Sequence, residues 1–222
     1  ANAGSARLFV RSGTSWTEEA VLLAPDGAPN DYFGISVAIS ADGSRAIVGA
    51  AYDDTSGVGD AGSARVFVRA GASWSQEATL VMTGGALGDY FGQSVSLSDA
   101  GDVALVGAHY DDNAAGIDAG SVTVFTRSGA VWTQLTQLTP PPGAAGDHFG
   151  VTVALAGDGT RAVIGAPQDD TAAGTDAGTA HVFMQTAGVW TAEAVLAASA
   201  GAADDRLGRA GAMSRDGGRV LL

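Results

Sequence analysis

A 58-residue period runs through this 222-residue chain and constrains its fold more than any local pattern does. Trp16, Trp74, Trp132 and Trp190 fall at that interval without slippage. So do Ala3-Gly4-Ser5, Ala61-Gly62-Ser63, Ala119-Gly120-Ser121 and Ala177-Gly178-Thr179. A fixed period of this length marks an array of similar units that bury their hydrophobic faces against one another. It also sets a criterion for function. A residue present in every unit serves the fold, and a functional singleton breaks the pattern.

Each unit reads as four short strands. In the second, Ser94–Ser98 alternates apolar and polar, as a half-buried strand does. Asp99-Ala100-Gly101-Asp102 is turn chemistry. Val103–Ala108 is a continuous apolar run, consistent with a strand covered on both faces. An acidic loop from Tyr110 to Asp118 leads to Ser121–Arg127, a turn, and Trp132–Leu138. Four antiparallel strands per unit predict an all-β propeller blade. No segment has helical periodicity, which argues against a helical solenoid, and a β-sandwich does not require a fixed period. In the third strand, Ala64, Val66 and Val68 face one way and Phe67 the other, a pattern that Ala6, Leu8, Val10 and Phe9 repeat. Gly49, Gly107 and Gly165 recur where neighbouring sheets would approach closely.

Composition narrows the function classes. The chain has 33 Gly, no Cys and a net charge of −13. Without Cys there is no disulfide and no thiolate metal site. An acidic surface repels phosphate backbones, which argues against nucleic-acid partners. No apolar run approaches the length of a membrane-spanning helix. Both ends read as cut from a longer polypeptide, with any signal segment or partner domain outside this sequence.

Phe33-Gly34 before Gly49-Ala50, Phe91-Gly92 before Gly107-Ala108, and Phe149-Gly150 before Gly165-Ala166-Pro167 resemble the FG-GAP repeat, the blade unit of integrin-α-type propellers and of many bacterial surface and secreted proteins. The fourth unit departs, with Leu207-Gly208 at that position. The resemblance implies an extracellular or cell-surface bacterial protein and a protein or glycan ligand. It also implies a ring of more blades than this chain supplies, commonly seven. The expected blades are residues 34–81, 92–139 and 150–197, with a fourth divided between 208–222 and 4–23. That division fits either a small four-bladed ring closed by the termini or, as the sequence favours, part of a larger ring, because Arg206-Leu207-Gly208-Arg209 supports a fourth blade poorly.

Calcium-binding relatives of this kind carry an acidic loop between the first two strands of a blade. Here that connection is a hairpin such as Ser40-Ala41-Asp42-Gly43-Ser44, too short for the six to eight oxygens calcium takes. Acidic residues cluster instead in the next connection: Asp53, Asp54 and Asp60; Asp111, Asp112 and Asp118; Asp169, Asp170 and Asp176. Three carboxylates with loop carbonyls suggest calcium as the one candidate cofactor, and the alternative is that they cap turns. Asp31, Asp89, Asp147 and Asp205, before each Phe-Gly position, read as turn or inter-blade residues. The tryptophans read as structural packing.

No catalytic constellation emerges. His109, His148 and His181 occupy three different positions of the unit, so symmetry does not bring them together. No Ser has a hydrolase setting and no Gly-rich loop has a phosphate-binding Lys. The expectation is a non-catalytic scaffold that binds a protein or glycan through its loops. The alternatives are an accessory domain of a larger extracellular enzyme and, last, a propeller with an active site of its own.

Overall fold

The structure, a computed structural model, describes residues 3–222. Its strands form three four-stranded antiparallel sheets flanked by two two-stranded ones. β1 (Ala6–Ser12) pairs with β2 (Ser15–Leu22). The first complete sheet is β3 (Ser36–Ile39), β4 (Arg45–Ala50), β5 (Ser63–Ala70) and β6 (Ser73–Leu80). The second is β7 (Ser94–Leu97), β8 (Val103–Ala108), β9 (Ser121–Ser128) and β10 (Val131–Leu138). The third is β11 (Val153–Leu155), β12 (Arg161–Ala166), β13 (Thr179–Thr186) and β14 (Val189–Leu196). β15 (Ala212–Met213) and β16 (Val220–Leu221) form the last pair. In each complete sheet the strands pair in chain order, as in a propeller blade. The strands expected in the second unit agree with β7–β10 to within one residue at each end.

Three apolar clusters hold the successive face-to-face contacts from the first pair to the third blade. Leu22, Phe33, Val48 and Phe67 close the contact between the first pair and the first blade. Ile47, Val66, Leu80, Val95, Leu97 and Phe125 close the next, and Leu105, Val124, Leu138, Val153, Leu155 and Phe183 the third. The continuous apolar runs are explained by this stacking. Ile47 and Leu105 join the cluster shared with the following blade, while Val48, Val106 and Ile164, one residue further on, join the cluster shared with the preceding one. Each such fully buried side chain contributes about 1.5–3 kcal/mol.

The recurring glycines are where backbones touch. A Cβ on Gly49, Gly107 or Gly165 would lie 2.0, 2.2 or 1.8 Å from the carbonyl oxygen of Gly92, Gly150 or Gly208. No side chain fits at such distances. The amides of Phe33, Phe91, Phe149 and Leu207 each donate to a carbonyl of the preceding blade, Ala3, Ala61, Ala119 and Ala177, at 3.0 Å. Leu207-Gly208 therefore keeps the backbone contact of the Phe-Gly positions although its sequence departs from them.

A β-bulge recurs at one position in every outer strand pair. It leaves one extra residue on the last strand: Glu19, Glu77, Leu135 and Glu193. Bulges re-aim side chains, and Glu19 and Glu77 turn toward the next blade. Glu77 accepts from Trp132 Nε1 at 3.0 Å and from Arg45 at 3.2 Å. Glu19 accepts from Trp74 Nε1 at 3.1 Å and from Arg69. Burial works against the Glu77 carboxylate, but Arg45 and Trp132 hold its pKa below the usual range. Trp74 and Trp132 thus pack between blades, and their indole N–H groups find their acceptors there.

Candidate functional site

The acidic loops are built as braces. The first carboxylate of each ties the loop to the third or fourth strand of its blade. Asp53 accepts from Ser63 Oγ at 2.5 Å and from Arg65 at 3.1 Å. Asp169 accepts from Thr179 Oγ1 at 2.6 Å, and Asp111 from Gln137 Nε2 at 2.7 Å. The second carboxylate caps the loop's far end. Asp54, Asp112 and Asp170 accept from the amides of Asp60, Asp118 and Asp176 at 3.0, 2.9 and 2.9 Å. The third residue, Asp60, Asp118 or Asp176, adopts a positive φ of 50–53°. Its backbone carbonyl accepts from the amide of Tyr90, His148 or Arg206. Among the described residues no group of three carboxylates gathers where it could hold a metal ion, and the first two carboxylates of each set already accept hydrogen bonds from strand side chains or loop amides. Asp31, Asp89 and Asp147 are buried turn residues whose carboxylates accept from Ala28, Ala86 and Ala144 amides at 2.6, 2.5 and 2.6 Å. Burial raises the pKa of each. Exposed Asp205 makes the same bond to Ala202.

What the braces hold is a rim of large side chains. Tyr32, Tyr90, His148 and Arg206 occupy one position of the unit, immediately before each Phe-Gly, and all four sit in the left-handed region at φ 54–55°. Bulky residues adopt that conformation only when the surroundings impose it. Tyr52, Tyr110 and Gln168 follow the second strand of each blade and alternate with them. The ring centroids run Tyr32 to Tyr52 at 4.7 Å, Tyr52 to Tyr90 at 4.7 Å, Tyr90 to Tyr110 at 5.3 Å and Tyr110 to His148 at 4.5 Å. His109 joins at 4.3 Å from Tyr110 and 5.8 Å from His148.

The rim changes character along its length. It begins aromatic and ends in a cavity of about 490 Å³ lined by Gln93, His109, His148, Gln168, Arg206 and Arg209, among others. Burial, aided by His148, pushes His109 down to about 4. Burial also lowers His148, against the pull of Asp118, Asp176 and a hydrogen bond with Gln168. Both imidazoles are therefore neutral at pH 7, and the positive charge comes from the exposed Arg206 and Arg209. Arg206 is loosely tethered, 3.8 Å from Asp176. Nδ1 of His109 is buried without a hydrogen-bond partner.

Comparison with known families decides the larger identity. The FG-GAP repeat matches three times, over residues 16–67, 74–125 and 132–183. The chain belongs to the FG-GAP repeat family. Each FG-GAP match begins at a tryptophan on one blade's last strand and ends at the third-strand phenylalanine of the next. One repeat therefore joins two blades, which is why it contains both halves of a blade contact. No curated protein sequence matches the chain.

Two expectations require correction. His109 and His148 do meet, although they hold different positions in the FG-GAP unit. His109 follows the second strand of one blade and His148 precedes the first strand of the next, and these two connections are neighbours at the rim. The sequence showed no constellation, yet the cavity gathers polar residues that break the repeat. The signal was present in the alignment of units: Ile35, Gln93, Val151 and Arg209 share one position, and Ala51, His109 and Pro167 another. His181 is different. It is buried, 3.2 Å from Thr179 Oγ1 and 5.4 Å from the Phe149 ring, and is a core side chain.

Proposed function

We propose that this FG-GAP domain is a non-catalytic propeller scaffold of a secreted or cell-surface bacterial protein, which binds a protein or glycan partner at the rim. The observation that carries this reading is the divergence of side chains on an unchanged backbone. Tyr32, Tyr90, His148 and Arg206 share one strained conformation yet present three different kinds of side chain. A scaffold that keeps a costly backbone while varying the side chain presents that side chain. Tyrosine faces offer rigid contact area at low entropic cost. The neutral imidazoles and Gln93 and Gln168 offer hydrogen bonds, and Arg206 and Arg209 suit a carboxylate or another anionic group on the partner. FG-GAP repeats are characteristic of extracellular binding domains, which supports the location and the absence of catalysis. No helix among the described residues is long and apolar enough to cross a membrane.

Screening the folded domain on a glycan array and against a library of displayed extracellular protein domains tests the proposal. Tyr110→Ala and Arg209→Ala are the controls. Binding that both variants weaken at least tenfold, with unchanged melting, supports the rim. Ligands retained equally by wild type and variants would place binding elsewhere and end this assignment.

A further inference from the structure

The cavity at the polar end of the rim lies within the array, between Gln93 and Arg209, and its walls depart from the repeat in charge. The chain has 11 arginines and no lysine. Those set among the strands of the blades are engaged: Arg45, Arg65 and Arg161 each meet a carboxylate at 2.7–3.2 Å. The two in the cavity are not. Among the described residues Arg209 makes no ion pair, and Arg206 stands 3.8 Å from Asp176 and 4.0 Å from Asp204. One unit earlier their positions carry His148 and Val151, and two units earlier Tyr90 and Gln93. The two guanidinium groups therefore serve no contact that the scaffold repeats.

The remaining polar walls are neutral and bond in both directions. His109 and His148 are uncharged at pH 7, and a neutral imidazole has one donor and one acceptor nitrogen. Gln93 and Gln168 each carry an amide oxygen and an NH2 group. Gln168 is hydrogen-bonded to His148, and the Tyr110 ring packs 4.3 Å from His109 and 4.5 Å from His148. The backbone under Arg206 is fixed as well, its amide donating to the Asp176 carbonyl at 3.1 Å. A wall set in place before a ligand arrives lowers the entropic cost of binding.

This combination selects a ligand. Two donor-only forks call for an anion. The net charge of −13, with Asp176 and Asp204 beside Arg206, disfavours a doubly charged phosphate and favours a single carboxylate. Groups that both donate and accept call for hydroxyls, which do the same. An acidic peptide side chain brings a carboxylate without hydroxyls and leaves the glutamines and imidazoles unanswered. A sugar ring that bears a carboxylate brings both, and a cavity of about 490 Å³ is of the size that takes small molecules.

We propose that this cavity binds a carboxylate-bearing sugar of an acidic glycan, with Arg206 and Arg209 on the carboxylate and Gln93, Gln168 and His148 on the hydroxyls. The assignment rests on the rim as the binding surface and narrows its partner from a protein or glycan to an acidic glycan.

Isothermal titration of the folded domain with glucuronic acid and with N-acetylneuraminic acid tests this, each beside its methyl ester, which keeps the hydroxyls and loses the charge. At least one acid is expected to bind, and to bind about tenfold or more tightly than its ester. Arg209→Gln, at an exposed position, is expected to weaken the acid about tenfold or more and the ester little. Arg11→Gln removes the same charge at an exposed position outside the cavity, and is expected to bind as wild type does. Binding of neither acid up to about 20 mM, equal binding of acid and ester, or an equal loss in both arginine variants overturns the proposal. Tighter binding of inorganic phosphate, or of an N-acetylated, amidated Glu-Glu dipeptide, also overturns it. A partner whose binding is weakened by Tyr110→Ala, yet which neither acid displaces, overturns the sugar assignment and leaves the rim as the binding surface.

Discussion

The contacts between blades and the rim are built from the same 58-residue unit and treat it in opposite ways. Between blades the unit is nearly constant. Phe67, Phe125 and Phe183 are equally buried, and Gly49, Gly107 and Gly165 make the same backbone approach. At the rim the backbone is constant and the side chains are not. Tyr32 and Ile35 at one end correspond to Arg206 and Arg209 at the other. Where a position must fit its neighbour, packing allows little variation. Where it faces solvent, the scaffold leaves it free for recognition.

The comparison breaks most readily at the glycines. Gly107→Ala places a methyl group 2.2 Å from the Gly150 carbonyl oxygen. Two blades must separate to admit it, and the expected loss is about 3 kcal/mol or more, read by urea unfolding. His109 belongs to both regions, being packed against the blade edge and facing the rim. The unfolded chain takes up a proton near pH 6.5, while the folded chain holds His109 neutral down to about 4. The folded state therefore binds fewer protons in that window, and its stability falls as pH drops from 6.5 toward 4. The difference reaches at most about 3 kcal/mol. His109→Ala, which installs the residue of the first unit, should flatten that part of the profile. Asp89 and Asp147, with carboxyls raised by burial, gain stability as pH falls, and they cancel when variant and wild type are compared.

A smaller effect sharpens the role of the bulge. Glu77→Leu copies the Leu135 of the second blade, and it leaves the Trp132 N–H without its acceptor and the Arg45 guanidinium without its partner. The expected loss is about 2 kcal/mol in thermal or urea unfolding.

Much of this was legible in the period. The strands of β7–β10, the close approach at Gly49, Gly107 and Gly165, and the turn role of Asp31, Asp89 and Asp147 follow from spacing and turn chemistry. The bulge was not legible, because an extra residue in a strand shows only against its partner's register. Glu19 and Glu77 therefore read as ordinary polar strand residues. The meeting of His109 with His148 was hidden for a related reason. Alignment by unit compares like with like, whereas contacts across a blade boundary join unlike positions. The acidic triads suggest a cation by composition, and the structure shows their first two carboxylates bracing the loop. Those two carboxylates are engaged by amides, hydroxyls and side chains that the sequence places nearby without showing where they point.

The smallest expected effect belongs to the rim, and it tests the separation of scaffold from site most directly. The triple variant His148→Tyr, Arg206→Tyr and Arg209→Ile rewrites the polar end of the rim with the residues that the first unit carries at the same positions, Tyr32 and Ile35. If the rim is a recognition surface on an indifferent backbone, its unfolding free energy will lie within about 1 kcal/mol of wild type. A loss as large as that of Gly107→Ala would mean that the divergent side chains hold the fold, and would contradict the account.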